Sequence, residues 1–182
     1  AELLERFLGT SDAHMLQVLE REWGRALPDD YRDRVMAAVA REYRASLAAI
    51  AGIHQALAAI TVPVCVASSG VPAQIRLALE CVGLLGRFGA NRFSASMVAR
   101  GKPAPDLFLY AAARMGAAPG DCVVVEDSIA GIDAAIAAGM TAIGFCGGSH
   151  CRPGHREVLR AHGAGYVIDQ MSDLLPLLGA SH

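Results

Sequence analysis

The pattern of apolar and polar positions changes near residue 50. Before that point the spacing is helical. Leu3, Leu4, Phe7 and Leu8 make one apolar face, and Thr10 or Ser11 is placed to cap a second helix whose Met15, Leu16, Val18 and Leu19 face inward. Trp23 and Gly24 end that helix, with Trp23 expected to pack between helices and His14 to stay exposed. Pro28 and Asp29 open a third helix carrying Tyr31, Val35, Val39 and Tyr43.

Beyond residue 50, short β-branched runs alternate with helices. Strands are expected at 62–67, 92–94, 122–126, 141–145 and 166–168. Helices are expected near 53–60, 72–82, 105–115, 129–138 and 156–162, with a last one after Ser172. Gly139 supplies the left-handed residue that stops the helix before it. Such repeats predict a Rossmann-like, three-layer α/β fold, a parallel sheet covered by helices on both faces. Functional groups in that architecture gather at the carboxyl ends of the strands.

Composition narrows the classes. The 182 residues are 53% hydrophobic and 19% charged, which fits a packed globular protein rather than a disordered one. The net charge is −2, with no basic block or stripe, so nucleic acid is not an expected partner. Residues 45–75 carry no charge, but Gly52, His54, Gln55, Pro63, Ser68, Ser69, Gly70 and Pro72 break the stretch, and no membrane span is expected. The 5 cysteines form no CxxC pair and no disulfide framework, which fits a reducing cytoplasm.

Three polar features fall at strand ends. Ser68-Ser69-Gly70 follows the first strand, Lys102 lies in ARGKPAPD after the second, and Glu126-Asp127-Ser128 ends the run VVVEDS. Each has an ordinary explanation: a serine pair capping a helix, a solvated loop lysine, and Asp127 capping the helix that follows with Ser128 in its first turn. Together they fit phosphoryl chemistry better. Two carboxylates at the end of a buried strand suit Mg²⁺, which takes oxygen ligands and retains waters. Lysine, serine hydroxyl and backbone N–H groups suit phosphate oxygens. On this view a metal ion, rather than a protein cation, offsets the charge on Glu126 and Asp127.

VCVASSG, ARGKPAPDLFLYAAARMG and CVVVEDSIAGIDAAIAAGM, in this order and spacing, resemble the second, third and fourth motifs of the haloacid dehalogenase-like hydrolases. The resemblance is to the β-phosphoglucomutase-like phosphatase branch. It covers about residues 50–148 and is weaker over the first 49. It implies a partial helical cap over residues 1–49 and an α/β core over 50–182. It further implies that Ser68 and the backbone at Ser69 bind phosphate, that Lys102 steadies the nucleophile and the phosphoryl group, and that Glu126 and Asp127 hold Mg²⁺, directly or through water. In the cap, Gly9 and Ser11 resemble a substrate-selecting turn, although the same residues suit a plain helix connection.

The family also uses an aspartate nucleophile and a second aspartate acid/base, set in Asp-x-Asp-Gly after an N-terminal strand. These 182 residues contain no Asp-x-Asp. Asp29-Asp30 follows no strand, and Asp169 ends a strand but is followed by Gln170 and Met171, so it is expected at a turn or helix cap. The expectation is therefore a chain that forms the larger part of a longer enzyme, its core lacking the first strand. That enzyme would be a Mg²⁺-dependent phosphatase of a small phosphorylated metabolite, with sugar phosphates the leading class and a phosphosugar mutase an alternative. The rival from another class is a non-catalytic relative that binds a phosphorylated ligand or partner. A dinucleotide oxidoreductase is set aside because no GxGxxG follows a strand. The unpaired sheet edges left by a missing strand would make a homodimer plausible. The loop CGGSHCRPGH, residues 146–155, holds two Cys and two His at a spacing unusual for zinc and is expected to be a surface loop, with His150 a possible contact to substrate.

Overall fold

The computed structural model describes residues 12–179. The first expected helix and the turn with Gly9 and Ser11 lie outside them. Two helices come first, α1 (Asp12–Trp23) and α2 (Tyr31–Ser46). They meet through Met15, Leu16, Val35 and Met36 around a small cavity. None of the residues of α2 is fully buried, and among the described residues the buried hydrophobic side chains start only at Ala56. Trp23 does not pack between the helices as expected. It is 49% exposed, with the Arg25 guanidinium 3.7 Å above its ring. The stacked arginine gives the indole face a cation that can stay in water.

The remaining elements run α3 (Ile53–Ala59), β1 (Val66–Ser68), α4 (Pro72–Cys81), α5 (Leu85–Phe88), β2 (Arg92–Ser94), α6 (Asp106–Met115), β3 (Val123–Glu126), α7 (Ile129–Ala137), β4 (Thr141–Phe145), α8 (His155–Ala161), β5 (Tyr166–Ile168) and α9 (Leu174–Gly179). Every strand pairing is parallel. β1 pairs β2 with Ala67 opposite Phe93, and β4 lies between β3 and β5 with Val125 opposite Ile143 and Gly144 opposite Val167. Among the described residues β1 and β3 do not pair with each other, so the sheet is in two pieces.

Alternation along the strands sorts the core into layers. On one face Phe108, Ile132, Ala135 and Leu159 from α6, α7 and α8 pack on Val124, Ala142 and Val167. On the other, Ile143, Phe145 and Ile168 meet Ala56 from α3 and Leu174 from α9. α6 also covers β1 and β2, where Leu107 and Ala111 meet Phe93 with Ala67 at the margin. The Rossmann-type three-layer arrangement is thus present. One face of β3 is thinly covered: Val123 and Val125 are each 36% exposed.

β1 is shorter than the expected strand 62–67. Pro63 has no N–H to give a ladder, Val62 is 57% exposed, and the partner β2 is itself three residues long. α5 was not expected, since a four-residue helix holds barely one turn of pattern. Among the described residues no helix is long and apolar enough to cross a membrane.

Candidate active site

The serine loop starts at the carboxyl end of β1. The serines do not cap α4: its cap position is Val71, with no side-chain hydrogen bond. Instead the Ser68 hydroxyl accepts from the Gly70 amide at 3.1 Å, closing a tight local turn. The turn is anchored from below by Ser94 at the end of β2. Ser94 is fully buried, and its hydroxyl donates to the Gly70 carbonyl at 2.7 Å and accepts from the Ser96 amide at 3.2 Å. A buried hydroxyl with both capacities used is a fixed strut.

Lys102 follows β2 and precedes Pro103 through a cis peptide bond. It is not a solvated loop lysine. Its side chain is 5% exposed, and Nζ donates to Glu126 Oε2 at 2.8 Å and to the Ala67 carbonyl at 3.2 Å, while lying 4.8 Å from the Phe108 ring centroid. It thereby joins the β1 piece of the sheet to the β3 piece.

Glu126 therefore meets a protein cation, contrary to the expectation that a metal alone would offset both acids. Its second oxygen, Oε1, accepts from the Ser128 hydroxyl at 2.6 Å and the Ser128 amide at 3.3 Å. The carboxylate also needs a glycine beside it. A Cβ on Gly131 would lie 2.0 Å from the Glu126 carboxyl carbon. Ser128, not Asp127, caps α7, accepting from the Gly131 amide at 3.0 Å. Asp127 is thus released from capping.

Asp127 sits between the last ladder residue of β3 and that cap. Its Oδ2 lies 3.3 Å from His150 Nε2, and its carbonyl takes a 2.7 Å hydrogen bond from His155 Nε2. Burial pushes the Asp127 carboxyl above the ordinary aspartate range; the neighbouring Glu126 charge pushes it the same way, and His150 and Lys102 partly counter this. A small cavity of about 190 Å³ opens beside it, lined by Val125, Glu126, Asp127, Phe145 and Met171. The donor chemistry of Asp127 fits Mg²⁺: a carboxylate held against a second negative charge and open to that cavity. Among the described residues no group of three or more His, Cys, Asp or Glu is arranged to hold a metal. These acids can therefore be only part of an oxygen shell.

The structure thus brings Lys102 and Glu126 into contact, places Asp127 next to them, and sets Ser68 one residue after the carbonyl that Lys102 binds. Asp169 is held elsewhere, paired with Arg156 at the end of β5, with β4 between it and β3. All 5 cysteines are free. Ser94 and Gly131 have no role in the sequence reading, and His155 enters it only as one of the two histidines of the 146–155 loop, expected at the surface. Gly131 left a signal, as a glycine in the first turn of a helix, where it otherwise weakens the helix.

A serine turn, a buried lysine and a pair of acids thus gather at the strand ends of a parallel α/β protein. A family model for haloacid dehalogenase-like hydrolases matches residues 2–139, and the chain belongs to that family. It is 33% identical over 153 residues to 6-phosphogluconate phosphatase of Escherichia coli, covering 84% of this chain and 69% of that protein. Fructose-1-phosphate phosphatase of Escherichia coli is 44% identical over 81 residues, covering 44% of this chain and 43% of that protein. Among solved structures, a conserved haloacid dehalogenase-like protein of unknown function from Agrobacterium tumefaciens superposes with a TM-score of 0.81 at 36% identity, covering 98% of this chain and 82% of that one.

Proposed function

We propose that these residues form most of a Mg²⁺-dependent phosphatase acting on a small phosphorylated metabolite, with sugar phosphates the leading class, in the cytoplasm. The observation that carries the reading is the buried Lys102–Glu126 contact beside Asp127. The names of the two phosphatase relatives support the substrate class. Residues 1–49 act as part of a cap that selects substrate, with Gly9 and Ser11 in its selecting turn, and 50–182 as the catalytic core.

Within this reading the Ser68 hydroxyl and the Ser69 backbone hold phosphate oxygens. Lys102 has three N–H donors. Ala67 and Glu126 take two, which leaves one for a phosphoryl oxygen or an attacking carboxylate. Glu126 keeps the ammonium aimed. Asp127 would hold Mg²⁺, and Glu126 would contribute through water, because each of its oxygens already accepts a hydrogen bond. The ion supplies charge stabilisation for the transferring phosphoryl group. The covalent step passes through an aspartyl-phosphate, and its nucleophile is not among residues 1–182, which contain no Asp-x-Asp.

The test is Mg²⁺-dependent phosphate release from 6-phosphogluconate, fructose 1-phosphate and an aryl phosphate. The 182-residue chain is run beside a version extended ahead of Ala1 by an apolar strand ending in Asp-x-Asp-Gly. The expected result is release by the extended chain alone, abolished by Asp127→Asn. Release by the shorter chain would place the nucleophile within it. Silence from both, with phosphate binding retained, would favour a non-catalytic ligand-binding protein.

A further inference from the structure

We propose that His155 is a positioning residue for the divalent-cation ligand Asp127, a role that rests on the metal-site reading above. Asp127 follows the last paired residue of β3, Glu126, and precedes the helix cap Ser128. Its peptide group therefore belongs to neither the ladder nor the helix, the two devices that normally fix backbone at a strand–helix junction. His155 supplies the restraint. Gly154, at φ 88°, turns the chain so that α8 begins with His155, whose Nε2 lies 2.7 Å from the Asp127 carbonyl oxygen. A carbonyl oxygen only accepts, so Nε2 is the protonated nitrogen and the imidazole donates. The contact spans 28 residues and ties the loop after β4 to the loop after β3. The same loop places His150 Nε2 3.3 Å from Asp127 Oδ2. Asp127 is thus gripped at both its carbonyl and its carboxylate from one neighbouring loop. Fixing the carbonyl fixes the direction in which the side chain leaves the backbone, and outer contacts of this type tune metal affinity by about 10- to 100-fold.

The experiment measures Mn²⁺ binding to the 182-residue chain by electron paramagnetic resonance, with thermal melting followed on the same samples. His155→Ala is compared with His155→Gln, whose amide N–H₂ can still donate, and with His162→Ala, which removes a surface histidine paired with Asp133 at the opposite end of α8. The expected result is about tenfold weaker Mn²⁺ binding for His155→Ala, substantial recovery for His155→Gln, and no change for His162→Ala. Wild-type affinity in His155→Ala overturns the role. So does a loss that His155→Gln shares while both variants melt normally. Failure of the wild-type chain to bind Mn²⁺ overturns the metal-site reading itself, and the positioning role with it.

Discussion

The serine turn after β1 and the acid pair after β3 occupy equivalent places in a parallel architecture, yet they are secured in different ways. The serine turn is neutral: Ser68 binds two residues ahead, and one buried hydroxyl, Ser94, 24 residues further on, holds the Gly70 carbonyl. The acid pair is charged and is met by a cation and two histidines. Lys102 comes from 24 residues before Glu126, and His155 from 28 residues after Asp127. The sequence separations are alike, and what differs is the kind of partner: neutral groups are satisfied by neutral hydrogen bonds. Two adjacent carboxylates near a core need opposite charge and dipoles. Within the pair the division is one of degree. Both Glu126 oxygens already hold protein partners, whereas Asp127 keeps more open oxygen valence and a raised pKa.

The comparison breaks most readily at Lys102. Its side chain is 5% exposed and that of Glu126 12%, so Lys102→Met leaves a carboxylate with little water and no cation. The expected loss is about 3–5 kcal/mol in urea unfolding, the range for removing one partner of a buried ion pair. The double variant Lys102→Met/Glu126→Gln should recover a large part of it, because the orphaned charge is gone. A single-variant loss below about 1 kcal/mol would mean that the pair is solvated like a surface bridge.

The neutral bank should respond less. Ser94→Ala removes the donor to the Gly70 carbonyl and the acceptor for the Ser96 amide in a fully buried position. About 1–3 kcal/mol is expected, the cost of stranding buried polar groups. If the serine turn binds phosphate as proposed, inorganic phosphate should also bind more weakly to this variant. An unchanged melting temperature would show that water replaces the hydroxyl, and that the turn does not depend on its strut.

How much of this could be seen in the chain follows from the same contrast. β2, β4 and β5 match their expected ranges, because short β-branched or aromatic runs bounded by turn residues leave few alternatives. The end of β1 and the helix cap after β3 were less legible. Asp127 and Ser128 are both good caps, and only the three-residue reach from Ser128 to the Gly131 amide decides between them. Lys102, Glu126 and Asp127 were legible as residues through the motifs. Their contacts were not, since no local periodicity encodes a bond across 24 residues. In the sequence His155 reads as the last residue of a surface loop, ahead of a helix expected from 156. It matters because α8 begins at the sheet edge where the β3 loop also ends, which only the strand order β3-β4-β5 determines.

The smallest effect concerns Asp127 and has the opposite sign to the other two. Burial and the Glu126 charge raise its pKa in the folded chain above the unfolded value. A group shifted in that direction contributes stability that is fully present below the ordinary aspartate pKa of about 4 and is lost as pH rises through the raised folded value. At pH 7 without metal the ionised Asp127 therefore works against the fold. Asp127→Asn removes that charge and should melt slightly above the parent in EDTA at neutral pH. Its side chain is 40% exposed, so water screens the repulsion and the gain is held to about a degree or two. The difference should vanish as pH falls below about 4, where the parent is neutral as well. Added Mg²⁺ should reverse the order, raising the melting temperature of the parent and leaving Asp127→Asn where it was. A variant less stable than the parent in EDTA would show that the His150 contact outweighs the repulsion from Glu126, and that Asp127 serves the fold rather than a cation.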